Sequence, residues 1–246
     1  MKCIADDFRR AITGRWFHVV FFASVLSMYM SIGDQSYYLI NMLAEIELSE
    51  DSFWLDAASL LSQGLQGNFG VMILPALSAL PFSAQALQEI RSGAIRPAVF
   101  RGGRKGWIAG KMLATFASGM LLQIAAAMGL LLVFHLMMLI CAGQPFPAGD
   151  FAPVWPLLLR RMLCGGIWAG TGCLMALMTE TTSAAYLAPL CLCYAMVMIG
   201  TRFFPDVALL NPTNWLTGAV WPLLLALGIL AATLAGTLRK KVNAYV

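Results

Sequence analysis

Six of the sixteen Lys and Arg residues lie between Gln88 and Lys111, in QEIRSGAIRPAVFRGGRKGWIAGK, with a long apolar run on either side. Cationic groups at that density can hold an anionic membrane surface or a partner protein, and Ile95, Val99 and Phe100 supply apolar knobs among them. Glu89 and Gly93 are placed to close a helix and permit a sharp turn. Other groups with chemical potential are sparser. Glu50 and Asp51 could hold a cation or act as acid and base, but no His, Cys or calcium-loop glycine pattern accompanies them, so they read as part of a solvated loop. His18 and His135 stand near the ends of apolar runs, where an imidazole is an interfacial residue before it is a proton carrier. The cysteines, Cys3, Cys141, Cys164, Cys173, Cys191 and Cys193, have no metal spacing; Cys191 and Cys193 would face different directions on a helix. They read as small, buried apolar residues. There is no HExxH, GxSxG or GxxxxGK[ST] pattern in the chain, which removes the signatures of a membrane-embedded hydrolase and of a resident phosphate loop.

The elements that must position these residues follow from composition. Of 246 residues, 60% are hydrophobic and 11% charged, against about 25% charged in soluble domains. That balance describes an all-α integral membrane protein, because a bilayer solvates apolar side chains and demands that backbone groups pair within the segment. Basic residues sit at the ends of apolar runs rather than among exposed aromatics, which argues against nucleic acid. Six transmembrane helices are expected, at 16–32, 69–87, 112–140, 162–178, 186–200 and 215–238, in a single domain over 1–246 without internal repeats. The first run lacks a small-x-small site and is expected to stay as a span. Residues 4–13 place Ile4, Phe8, Ala11 and Ile12 on one face with Asp6, Asp7, Arg9 and Arg10 elsewhere, the pattern of an N-terminal interfacial helix or, failing that, a solvated tail. The span at 69–87 carries Pro75 and Pro81, which bend it either for movement or as fixed kinks. Gly165, Gly166, Gly170 and Gly172 permit close helix approach in the fourth span.

Charge sets the expected orientation. Residues 33–66 carry Asp34, Glu45, Glu47, Glu50, Asp51 and Asp56 with no basic residue, and read as an outer loop in which 53–65 either extends the second helix or lies on the outer surface. Residues 141–156 form a second outer loop with Pro145, Pro147, Pro153 and Pro156. Thirteen basic residues fall on one side and three, Arg160, Arg161 and Arg202, on the other, placing both termini in the cytoplasm. Arg160 and Arg161 then face lipid headgroups or an anionic substrate outside. Glu180, alone in the turn TETTS, is expected to be solvated and within reach of a cytoplasmic partner.

The order Glu89, Ser92-Gly93, Arg101, Arg104-Lys105, Trp107, Lys111 resembles the cytoplasmic coupling segment of bacterial ABC-2 type transporter permeases, in the form common in Firmicutes-type peptide or drug exporters. LPALSALPFS resembles that family's proline-containing second helix, TETTSAAYLAP its turn into the fifth, and LNPTNW the segment before the last. Trp107 stands where the family usually has a tyrosine. The resemblance implies a permease subunit of an ATP-driven exporter in the bacterial cytoplasmic membrane. It implies a dimer with a second copy or paralogue, and contact with a cytoplasmic ABC ATPase subunit through 88–111, notably Glu89, Gly93, Ile95, Phe100 and Arg101. No cofactor is expected in the chain itself, ATP being bound by the partner; membrane lipids complete the expected partners. The alternative is a membrane immunity or sensor subunit that transports nothing.

Overall fold

A computed structural model describes residues 2–33, 56–143, 147–204, 207 and 210–245, and among these the chain is helical without a strand. The expected acidic loop from Asp34 to Asp51 lies outside the described residues. The helices are α1 (Lys2–Thr13), α2 (Arg15–Ser31), α3 (Ala57–Gln66), α4 (Asn68–Ala79), α5 (Gln85–Arg91), α6 (Ile95–Ala142), α7 (Val154–Thr179), α8 (Thr182–Phe203) and α9 (Trp221–Tyr245). Of the six expected spans, α6, α7, α8 and α9 are long and apolar enough to cross a membrane. A fifth is reached if α1 and α2, bent by 50° about Gly14, count as one.

The span expected at 69–87 is broken. α4 accommodates Pro75, but the helix ends at Ala79 and resumes at Gln85. Pro81 lies in the break, where it lacks the amide that would continue the helical ladder and its ring would crowd the preceding turn. Ser83 Oγ donates to the Ala169 carbonyl on α7 at 2.8 Å, and Ser78 Oγ accepts from Gln123 Nε2 on α6 at 3.0 Å. The broken segment still runs the length of the bundle: Gly70 N donates to Ser31 Oγ at one end, and Glu89 meets Lys111 at the other.

Three further expectations change. Residues 57–66 are neither a surface segment nor a continuous extension of the second helix but a packed helix set off from α4 at Gly67, burying Ala58, Leu60, Leu61 and Leu65 against α2 and α6. Its start is legible as a cap, since Asp56 Oδ1 accepts from Ser59 N at 2.6 Å. α7 begins at Val154, because Pro153 and Pro156 occupy a cap and first turn whose amides need no helical partner. α1 presents Asp7 and Ala11 to the interior, with Phe8 and Ile12 half-buried, so its inward face includes the carboxylate that periodicity placed elsewhere.

The centre of the bundle is the crossing of α6 and α7. A Cβ built on Gly119 would stand 2.4 Å from the Gly165 carbonyl oxygen, and one on Gly172 would stand 2.4 Å from the Ala185 carbonyl oxygen. Backbones therefore touch where the glycine-rich run falls, as small-residue packing between apolar helices requires. Trp168 and Trp215 stack nearby at 5.6 Å between centroids. Cys164, Cys173 and Cys193 are buried free thiols, and Cys191 is exposed.

Candidate functional site

Between α5 and α6 the chain makes a tight turn. Ser92 N donates to the Gln88 carbonyl at 2.9 Å and Gly93 N to Ile90 at 3.2 Å, with Gly93 at φ 75°. A side chain would be strained there, which explains the glycine. α6 then runs from Ile95 to a break at Gly103, φ 71° and ψ 156°, beyond which it continues as the long span. The short leading piece packs Ile95 and Val99, four residues apart, onto Leu87, Ile90, Trp107, Leu177, Leu238 and Val242. Its other face is exposed: Phe100 is 93% accessible and Arg96 and Arg101 are exposed with it, while Arg104 and Lys105 are exposed just beyond the break.

Beneath this turn lies a buried ion cluster. Lys111 Nζ, 1% exposed, donates to Asp7 Oδ1 at 2.7 Å and Glu89 Oε1 at 2.6 Å. Trp107 Nε1 donates to the second oxygen of Glu89 at 3.1 Å, and the Lys111 ammonium lies 5.4 Å from the Phe82 ring centroid. Arg10 approaches Glu89 at 3.9 Å from a mostly exposed position. One ammonium thus joins a carboxylate on α1 to one on α5. Charges in so dry a place persist only when paired. Asp7 Oδ2 is buried without a hydrogen-bond partner among the described residues. A cavity of about 910 Å³ adjoins the cluster, lined by Asp6, Asp7, Arg10, Glu89, Arg101 and Trp107 among others.

The same end is tied to the rest of the bundle. Arg91 donates to the Glu180 carbonyl, Lys241 pairs with the Glu180 carboxylate, Arg96 Nε donates to the Tyr245 carbonyl at 3.2 Å, and Arg104 to Asn243 Oδ1 at 3.3 Å. Glu180, in a left-handed conformation at φ 56°, is solvent-exposed as expected but not alone, being a hub between three segments. Its hydrogen bond from Lys241 holds its carboxyl below the usual range. That tie is present above the ordinary carboxylate pKa and is lost as pH falls through the lowered one.

Of the five residues singled out for partner contact, the structure leaves Gly93, Phe100 and Arg101 at the surface and turns Glu89 and Ile95 inward. Asp7 and Lys111 form the site's other half, and pattern reading missed Asp7 because it sought an apolar face. The available signal was Lys111 itself, since a lysine entering an apolar span needs a carboxylate.

A second polar centre occupies the far end. Arg161, expected outside the helices at the headgroups or on a substrate, is 2% exposed. Its Nε donates to Gln123 Oε1 at 3.2 Å and its Nη1 to the Leu65 carbonyl. Leu65 lies in the last turn of α3, where carbonyls have no helical partner and the helix dipole is negative, so a guanidinium fits without a carboxylate. His18 and His135 are exposed on α2 and α6, and among the described residues no group of His, Cys, Asp and Glu could hold a metal.

No known family, characterised protein or solved structure matches this chain.

Proposed function

We propose that this chain is the membrane-spanning permease subunit of an ATP-driven bacterial exporter, with residues 88–111 seating a cytoplasmic ABC ATPase subunit. The observation that carries the reading is Phe100, 93% exposed between Arg96 and Arg101 on a short helix that is itself bolted to the bundle, with Arg104 and Lys105 exposed just beyond the break at Gly103. An exposed aromatic flanked by cations is the composition of a protein-contact anchor. The ion cluster beneath it couples that helix to α1 and the long span, so a push on the turn moves several elements together. Gly93, Phe100 and Arg101 form the contact surface; Glu89 and Ile95 support it from within.

The six-span count is supported by parity. Asp7 near one terminus and Tyr245 near the other both join the Gln88–Lys111 end, which requires an even number of crossings, and the broken α4–α5 segment supplies the sixth. α1 then lies as an interfacial helix against that end. With most basic residues there, it faces the cytoplasm. Cys141, in the last turn of α6, is expected to react with an impermeant maleimide added to intact cells, and Cys3 to react only after permeabilisation. The reverse labelling would invert the orientation.

The chain purified alone is expected to hydrolyse no ATP, and in mild detergent to bring down a soluble ATPase subunit from its own cell. ATP hydrolysis that stays with the isolated chain through further purification would refute the division of labour.

A further inference from the structure

From the middle of the bundle toward its far end runs an apolar groove that the transport reading does not use. It lies between α7, α8 and α9, has a volume of about 310 Å³, and is walled by Ile167, Trp168, Leu192, Trp215, Ala226 and Ile229, with almost no polar lining. Leu192 and Ile229 expose 43% and 59% of their surface, so the groove is open along the sides of three membrane-spanning helices. Its size is at the lower end of the range for ligand pockets.

A cation that does not itself wall the groove stands beyond one end of it. Arg160 precedes Ile167 by seven residues on α7, which is two helical turns along the same stripe, about 10 Å of axis. Arg160 Nη1 donates to the Leu216 carbonyl at 3.0 Å, next to Trp215 of the groove wall. Its Nε is buried and has no hydrogen-bond partner among the described residues. An apolar slot with a guanidinium at its head complements one chemistry, a hydrocarbon chain carrying an anionic group. Arg suits the phosphate because its fork of donors matches the oxygens.

We infer that the groove binds an anionic phospholipid, with an acyl chain along Trp168, Trp215 and Ile229 and the phosphate at Arg160. This depends on α7 to α9 lying in a membrane and is independent of any ATPase partner, so its failure and that of the exporter reading are separable.

The test is native mass spectrometry of the full chain in neutral detergent, titrated with phosphatidylglycerol and phosphatidylcholine of identical acyl chains. The wild type is expected to retain phosphatidylglycerol by about fivefold over phosphatidylcholine, the scale of one cation near an anionic headgroup. Arg160→Gln is expected to abolish that preference while Arg160→Lys keeps most of it, and Ala226→Trp, which fills the slot, to reduce both lipids. Equal retention of the two lipids by the wild type, or an undiminished preference in Arg160→Gln, overturns the proposal. So does near-complete crosslinking of Ala226→Cys between copies in membranes, which would make the groove a seam between subunits.

Discussion

Lys111→Met is expected to lower the stability of the purified chain by about 3–5 kcal/mol, the range for removing one partner of a buried ion pair. The ammonium is 1% exposed and is the hydrogen-bonding centre for both Asp7 and Glu89. Without it two largely buried carboxylates face each other, and Asp7, whose other oxygen has no hydrogen-bond partner among the described residues, loses its only ion pair among them. Thermal unfolding in detergent, read by size-exclusion after heating, measures the loss. Adding Asp7→Asn and Glu89→Gln to Lys111→Met is expected to recover most of it, because the stranded charges are then gone. The combination separates electrostatics from packing. A single Lys111→Met variant as stable as wild type would mean that the cluster does not hold α1 and α5 to α6.

Phe100→Ala is expected to leave the isolated chain unchanged and to weaken its hold on the ATPase subunit on the order of 30-fold, the effect of losing an aromatic anchor of about 2 kcal/mol. The ring is 93% exposed and supports little within the chain, so insertion and stability should not move. Gly93→Trp is expected to act more strongly on the complex. A Cβ at Gly93 meets nothing within 4 Å, yet its φ of 75° strains any L residue, at a cost of about 1–2 kcal/mol. The indole would project where a partner must seat. Replacing both Arg104 and Lys105 by Gln should act on attraction to the anionic membrane surface, by about 1 kcal/mol per charge, and leave the hold on the ATPase subunit nearer wild type. Substrate-stimulated ATP hydrolysis by the reconstituted complex, beside membrane abundance of each variant, makes the comparison. Wild-type stimulation in both Phe100→Ala and Gly93→Trp would reduce residues 88–111 to a signal for topology.

Composition and periodicity determined a good deal. The apolar runs are long enough to force helices, because an unpaired peptide group is costly where water is absent, and α6, α7, α8 and α9 overlap those runs, although α6 and α7 begin well before the expected spans and α9 begins at Trp221 rather than at 215. The crossing at Gly119 and Gly165 was half legible, since the glycine-rich run in α7 announced a close approach but could not name its partner. The turn at Gly93 was readable from residue type, being one of few places where only glycine is at ease. Tertiary structure decided the rest, for reasons of partnership. A period of 3.6 residues sorts side chains by polarity, so it set Asp7 aside from the apolar face of α1, whereas the fold needed that carboxylate inside to meet Lys111. Arg161 looked like a headgroup ligand because a guanidinium beside an apolar run is cheap to place in water. The end of α3 offers it an unpaired carbonyl instead, and only packing brings Leu65 to it. Glu89 and Ile95 were drawn to the surface by their neighbours in the chain, and were turned inward because Trp107, Leu177 and Leu238, distant in sequence, close over them. What a residue can do was written locally; which group answers it depended on elements that meet only once the bundle has formed.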